Sequence, residues 1–466
     1  MTNISSVAHK NQPNFPCNLT GVQGKSLLID DQGGDLTSDA GVLLLRETEA
    51  QVGILAALTE CLSDPRHPSY VTHAQEALLT QRVYQIACGY PDANDCDTLR
   101  ADPAFQLAVG QVPDRQAPLA SQPTMTRLEH TPSRTQLYRM AQALVDVFLA
   151  SYAAPPPVIV LDFDDTDSPV YGQQQLALFN GYYGHRCYQP LHVYEGISGN
   201  LITTMLRPGH RPSGAEIVAV LRRIVARIRA VWPETLILYR GDQHYGAPAV
   251  YDWIAAQPRI RSVTGFPVHQ WLRAEARVQA LLQQVQDHYD RYGDPQTRYT
   301  SWAYQASTWE QPRKLVVKVE ITATGQRNIR AITTDCWPGQ GRVLYETVYC
   351  ARGKDEQYIK DHKRHLQSDR TACHTFEANQ FRLLLMSAAY VLLHHLRAEV
   401  CGGTRWAQAT MATLQQHLLK IGARVQVLKT RVKVQLPAAY PWYPDLARIL
   451  GIFTALRAAP GARAGP

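Results

Sequence analysis

The stretch VIVLDFDDTDSPVYG, residues 158–172, decides how this chain is read. It follows Pro155-Pro156-Pro157, a triplet that ends any helix before it, and opens with the wholly apolar run Val158 to Leu161. Short apolar runs of this kind form strands buried on both faces inside an α/β sheet. Side chains alternate along a strand, so Asp162 and Asp164 share one face with Val158 and Val160, while Phe163 and Asp165 share the other. Acids gathered at the end of an apolar strand raise each other's pKa unless they are solvated or bind a cation. A solvated turn with Asx caps has the same sequence pattern, so the string alone leaves both readings open.

Working outward, β-like stretches at 189–196 and 200–207, a helix at 213–231, a strand at 235–239, a helix near 246–257 and a strand near 261–265 predict an α/β layer. A charged amphipathic helix at 268–290 leads to 298–335. There TSWAYQAS, KLVVKVEIT and NIRAITT alternate apolar and polar residues between Pro or Gly turns and predict an antiparallel insertion. A strand at 342–348, a polar helix at 352–367 and an apolar helix at 376–397 follow, and Val425 to Val434 alternates. Upstream, Ser38 or Asp39 is placed to cap a helical pattern over 40–62, with more helix at 73–88 and 134–152. The division this predicts is an extended or disordered arm at 1–25, a mostly helical region at 26–154, a core in two parts at 155–290 and 341–400 around an insertion at 291–340, and a basic segment at 401–466.

A second acid has the context of the first. The strand 235–239 runs into Arg240-Gly241-Asp242, and open α/β sheets place their sites at the carboxyl ends of strands, so Asp242 is positioned to meet Asp164. The third element is YCARGKDEQYIKDHKRH, 349–365. On a helix Arg352 and Glu356 are i,i+4 neighbours, and Lys363 returns to nearly the same face. One acid flanked by bases suits a metal-binding carboxylate among phosphate clamps. A solvated helix held by Arg–Glu and Glu–Lys pairs carries the same pattern.

In this order Asp164, Asp242 and Tyr349/Arg352/Glu356/Lys363 resemble the DDE transposases of bacterial insertion sequences, whose Y-(2)-R-(3)-E-(6)-K signature is met at every position. The strings LDFDDTDSPVYGQQQLALFNGYYGHRCYQPLHVYEG, RGDQHYG, YCARGKDEQYIK and SDRTACHTFEANQFRLLL resemble the insertion-sequence thirteen-eighty group more closely, over residues 25–400. The resemblance implies an α/β fold with a ribonuclease H-like core, a β-strand insertion before the Glu and a mostly α-helical N-terminal region. It implies that Asp164, Asp242 and Glu356 are catalytic and hold two Mg²⁺ ions, with Mn²⁺ able to substitute, and that Tyr349, Arg352 and Lys363 hold DNA phosphates. Asp162 and Asp165 are supporting or alternative acids. The implied activity is cleavage of double-stranded DNA at terminal inverted repeats and joining of the 3′-hydroxyls to target DNA, by a homodimer or higher oligomer. Paired hard cations suit such an in-line phosphoryl transfer, and oxygen ligands select them over zinc. Relatives with this signature can pass through a hairpin DNA end in which an aromatic ring holds a flipped base. Trp302, Trp309 and Trp337 are candidates for that role, although core packing is the better reading of any one of them.

Two rival readings start from the same residues. Asp162-Phe-Asp164-Asp-Thr166 resembles the DxDxT motif of haloacid-dehalogenase-type phosphatases, with Asp162 as nucleophile, but Asp167 stands where that family has an apolar residue and Tyr349 to Lys363 go unexplained. A DNA-binding relative without activity is the other.

Composition narrows the field. With 466 residues, 45% of them apolar, the chain has ample material for a packed core, which excludes global disorder. No apolar run is long enough to predict a membrane span, and MTNISSVAHKNQPNF has no apolar secretory core, so a cytoplasmic protein without membrane contact is expected. The net charge of +7 suits a polyanionic partner. Nine cysteines without a CxxC spacing predict neither disulfides nor structural zinc. No GxxxxGK[ST] loop is present, so no nucleotide-cofactor site is expected, and His394-His395 reads as packed or surface. Lys420, Arg424, Lys429, Arg431 and Lys433 make the tail basic, with the last three predicted on one strand face as a phosphate-tracking stripe or a solvated edge.

Overall fold

The computed structural model describes residues 17–114 and 117–458. Eight strands form one mixed sheet: β1 (Val158–Asp165), β2 (Leu191–Glu195), β3 (Leu201–Met205), β4 (Leu236–Gly241), β5 (Ile260–Phe266), β6 (Gln296–Tyr304), β7 (Arg313–Ile321) and β8 (Arg327–Thr334), in the order β6-β7-β8-β5-β4-β1-β2-β3. β1, β4 and β5 run parallel. β2 and β3 extend one side as antiparallel strands, and β8, β7 and β6 extend the other. The helices used below are α1 (Arg134–Ala150), α2 (Gly214–Val231), α3 (Pro248–Ala255), α4 (Ala276–Tyr292), α5 (Gly353–Lys360) and α6 (Phe376–His395).

Local signals start two of these helices. Ser133 with Gln136, and Ser213 with Glu216, form reciprocal capping boxes at α1 and α2, satisfying backbone donors that a helix start leaves open. α2 then lays Ile217, Leu221, Ile224 and Ile228 onto Ile159 and Phe163 of β1 and Ile237 and Tyr239 of β4. Burying each such side chain contributes about 1.5–3 kcal/mol, which locks the helix to the strands that carry the acids. A second core gathers α6 with the N-terminal helices through Leu44, Leu79, Met140, Phe381 and Leu385. The segment Phe376–Val400 is apolar and long enough to span a membrane, yet most of its apolar stretch is buried within the fold, so its apolarity is that of a core helix.

Several expectations are corrected. Residues 342–348 are helical rather than a strand: Gly341–Val343 is α-helical and Leu344–Tyr349 is a π-turn. The reason is packing, since Leu344, Tyr345, Val348 and Tyr349 recur at helical spacing and close over Val263, Val316 and Ile332. Neither Ser38 nor Asp39 caps the first helix. Gly41 precedes Val42–Val52, and Gly53, at φ 69°, divides it from Ile54–Glu60. Asp39 is instead buried, accepting from the Tyr90 hydroxyl at 2.9 Å and from Lys420 at 3.2 Å. Within the expected N-terminal arm, Cys17–Val22 pairs with Lys25–Ile29 as a hairpin, and residues 1–16 lie outside the described ones. In the tail, Ala423–Val427 pairs with Val432–Gln435, so Lys429 and Arg431 sit in the connecting turn and do not continue the strand face of Lys433.

The predicted antiparallel block is present, but it is continuous with the main sheet because β8 pairs with β5. α4 covers one of its faces, burying Val278 and Val285 against Leu315, Val317 and Val319. None of the nine cysteines forms a disulfide.

Candidate active site

The sheet itself places two acids. β1 and β4 are adjacent and parallel with Phe163 across from Gly241, so Asp164 and Asp242 are the next residues at one sheet edge, where sites of open α/β sheets form. Asp164 Oδ2 lies 2.7 Å from Arg352 Nη2. Burial pushes the Asp164 carboxyl up to about 7 against the pull of Arg352, and the Asp242 and Asp165 carboxylates push the same way. Asp242 is partly exposed, and its Oδ1 accepts the His244 N–H at 2.7 Å, which ties the turn after β4. Asp165 faces away from this pair, taking the Tyr245 hydroxyl at 2.9 Å and standing 3.6 Å from Arg207.

Asp162 is fully buried. Its register partner on β4, Arg240, grips both carboxylate oxygens through Nε and Nη2, leaving neither open to a substrate. A Cβ at Gly196 would collide with both side chains, so a glycine is required to close over the pair. Asp355 of α5 is buried against the same pair, and burial together with the Asp162 carboxylate pushes its pKa strongly upward.

The residues of the 349–365 string part company in space. Tyr349 is half-buried above Gly265, where an added Cβ would come within 2.9 Å of its hydroxyl, and it lines a cavity of about 290 Å³ with Asp242, Gln243 and Arg330. Arg352 turns to Asp164, and although burial works against it, Asp164 and Asp242 hold its pKa above the ordinary value. Lys363 reaches Asp167 at 2.6 Å and the Thr166 hydroxyl at 3.3 Å. Glu356 is exposed and makes no side-chain hydrogen bond or ion pair among the described residues. The expected straight stripe is broken because the chain tightens to a 3₁₀ turn at Cys350–Arg352 and widens to π at Leu344–Tyr349 and Asp361–His365.

Among the described residues, no three or more His, Cys, Asp or Glu side chains gather as a metal site. Asp164 and Asp242 by themselves suit a hard divalent cation. Both are oxygen donors on one edge, and burial plus like charge leave Asp164 in the condition a cation relieves. Glu356 is exposed and forms no three-acid group with them.

Asp355, Arg240 and Asp167 emerge as charged neighbours of the site that sequence reasoning did not single out. Arg240 had a signal in its place one residue before Gly241-Asp242, whereas Asp355 had none, since it falls outside the Arg352, Glu356 and Lys363 spacing. Of the tryptophans, Trp309 is packed among Tyr251, Phe266 and Tyr304, Trp302 lies under the Arg277 guanidinium, and Trp337 is half-exposed.

Paired carboxylates at the ends of adjacent parallel strands, beside an arginine and a tyrosine from one helical segment, describe an α/β protein with a candidate phosphoryl-transfer site. The sequence profile of the transposase DDE domain, group 1, matches residues 19–458, and the chain belongs to that family. No curated protein matches it. Among solved structures, it is similar to a cryo-EM structure of the piggyBac transposase synaptic complex with hairpin DNA, at 10% identity and a TM-score of 0.40, over 91% of this chain and 83% of that one.

Proposed function

We propose that this transposase binds the terminal inverted repeats of a bacterial insertion sequence of the thirteen-eighty group, cleaves the DNA at its ends and joins the 3′-hydroxyls to target DNA. The observation that carries this reading is the meeting of Asp164 and Asp242 at one sheet edge under Arg352, within a chain of the DDE family. The strand order β3-β2-β1-β4-β5, with β2 alone antiparallel among these five, supports a ribonuclease H-like core.

In this reading Asp164 and Asp242 hold Mg²⁺, or Mn²⁺ in its place, and such an ion when bound supplies charge for an in-line phosphoryl transfer. Tyr349 and Lys363 bind DNA phosphates. Arg352, now paired with Asp164, would be free to hold a phosphate were the acid's charge balanced by a cation. Glu356 completes the acidic set once α5 turns, a movement supported by the non-α turns that flank it. Pairing two element ends calls for a dimer or higher oligomer, acting on double-stranded DNA in the bacterial cytoplasm.

The test is a cleavage and strand-transfer assay on DNA carrying the inverted repeats that flank the gene, with Mg²⁺. The wild type nicks and joins these ends, and Asp164→Ala, Asp242→Ala and Glu356→Ala each abolish both steps while retaining DNA binding. Binding without cleavage by the wild type would favour an inactive relative, and full cleavage by Asp242→Ala would remove the assigned site.

A further inference from the structure

Between β1 and β2 the chain makes a small flap of three short strands, Ser168–Pro169, Leu178–Asn180 and His185–Tyr188, with the last in the middle. Its base is fixed. Val170, Ala177 and Tyr188 are buried with Leu206 of the loop after β3 and Leu383 of α6, Arg186 donates to the Ala177 carbonyl at 2.6 Å, and Gln174 donates to the Thr371 carbonyl at 3.1 Å. Its outer part is bare. Tyr171 is 96% exposed, Tyr182 88% and Phe179 66%, and added Cβ atoms at Gly181 and Gly184 would meet nothing within 4 Å, so the 181–184 turn projects into solvent. Large rings held by a rigid base and left uncovered mark a recognition surface.

The chemistry of the flap selects the partner. From Ser168 to Tyr188 there is no Asp or Glu, while Gln173, Gln174, Gln175, Asn180, His185 and Arg186 accompany the rings. Phe179 and the exposed Arg186 are directly opposed in register across the strand pair, which adds a cation to the same small sheet. An acid-free surface of rings, amides and one arginine repels no phosphate and offers stacking to any base. The flap is also continuous with the candidate active site: it leaves β1 directly after Asp165, and Asp167 at its root bonds Lys363 at 2.6 Å and lies 3.3 Å from His185.

We infer that Tyr171, Phe179 and Tyr182 form a platform on which unpaired DNA bases stack beside the strand that carries Asp164. Bases inside a duplex are already stacked on one another, so the platform acts on nucleotides whose pairing is opened near the site. This deepens the reading given under Proposed function and rests on it.

The experiment is a binding titration without divalent ions, which needs no cleavage and so stands or falls separately from the catalytic assignment. Two probes are used: a fully paired duplex, and the same duplex with a short unpaired stretch containing 2-aminopurine. The wild type binds the unpaired probe more tightly and quenches its fluorescence. The triple variant Tyr171→Ala/Phe179→Ala/Tyr182→Ala loses this preference by about fivefold or more per stacked base, and its affinity for the paired probe changes less than that. Tyr182→Ala alone, at a projecting turn, gives a partial loss and serves if the triple variant does not fold. Tyr70→Ala, exposed elsewhere, keeps the wild-type preference. Equal loss on both probes, no loss on either, or loss of self-association in sedimentation with DNA preference intact would each overturn the inference, the last assigning the rings to a second copy of the chain.

Discussion

Arg352 crosses from the helical segment after β8 to place Nη2 2.7 Å from Oδ2 of Asp164, so a single guanidinium pairs with the acid next to the end of β1. The same arginine is drawn by Asp242. A divalent ion held by these two carboxylates would compete with it. Arg352→Ala is expected to bind Mn²⁺ at least about tenfold more tightly than the wild type in the absence of DNA, since a like charge about 4 Å away costs roughly 1 kcal/mol per unit charge even at the dielectric of bulk water. Calorimetry on the DNA-free protein measures this, and weaker or unchanged affinity would mean that Arg352 does not occupy the cation's place.

Glu356 is exposed and without a polar partner among the described residues, so its removal has little to break in the resting fold. Glu356→Gln is expected to change unfolding stability by less than about 0.5 kcal/mol while eliminating DNA cleavage. A large drop in stability would show instead that the side chain is engaged in the folded state.

Asp162 and Arg240 form a fully buried pair, and breaking such a pair leaves an uncompensated charge. Asp162→Ala is expected to cost roughly 3–5 kcal/mol in urea unfolding, whereas the double change Asp162→Leu/Arg240→Met recovers much of it. A loss under about 1 kcal/mol would contradict the burial of the pair.

Glu49 provides a pH test away from the acids of the sheet. Its Oε1 accepts the N–H groups of Leu55 at 2.8 Å and Ala56 at 3.3 Å at the start of a helix, and burial pushes its pKa from 4.5 up to about 7. A carboxyl raised on folding contributes stability that is present below pH 4.5 and lost as pH rises through about 7. Glu49→Gln keeps an acceptor for both N–H groups without the charge. It is expected to exceed the wild type by roughly 2–3 kcal/mol at pH 8 and to converge with it near pH 4, read from thermal or urea unfolding at each pH. A gap independent of pH would assign the difference to packing.

Much of this molecule was legible one segment at a time. The apolar run Val158 to Leu161 and its terminal acids, the acid one residue past the strand at 236–241, and the helices behind Ser133 and Ser213 all follow from alternation, capping and proline placement. These act over a few residues, and the chain carries them wherever it goes. Tertiary contacts decided the rest. Asp355 and Glu356 are adjacent acids on one helix, and only the docking of that helix on Arg240 and Asp162 turns one into the interior and the other to water. Residues 342–348 read as a strand until Val263, Val316 and Ile332 offer a surface that a helical stripe covers better. The pairing of β8 with β5, which merges the antiparallel block into the main sheet, is likewise a long-range register. Helix rotation and strand register depend on partners far along the chain, and local periodicity carries no information about which partner will be there.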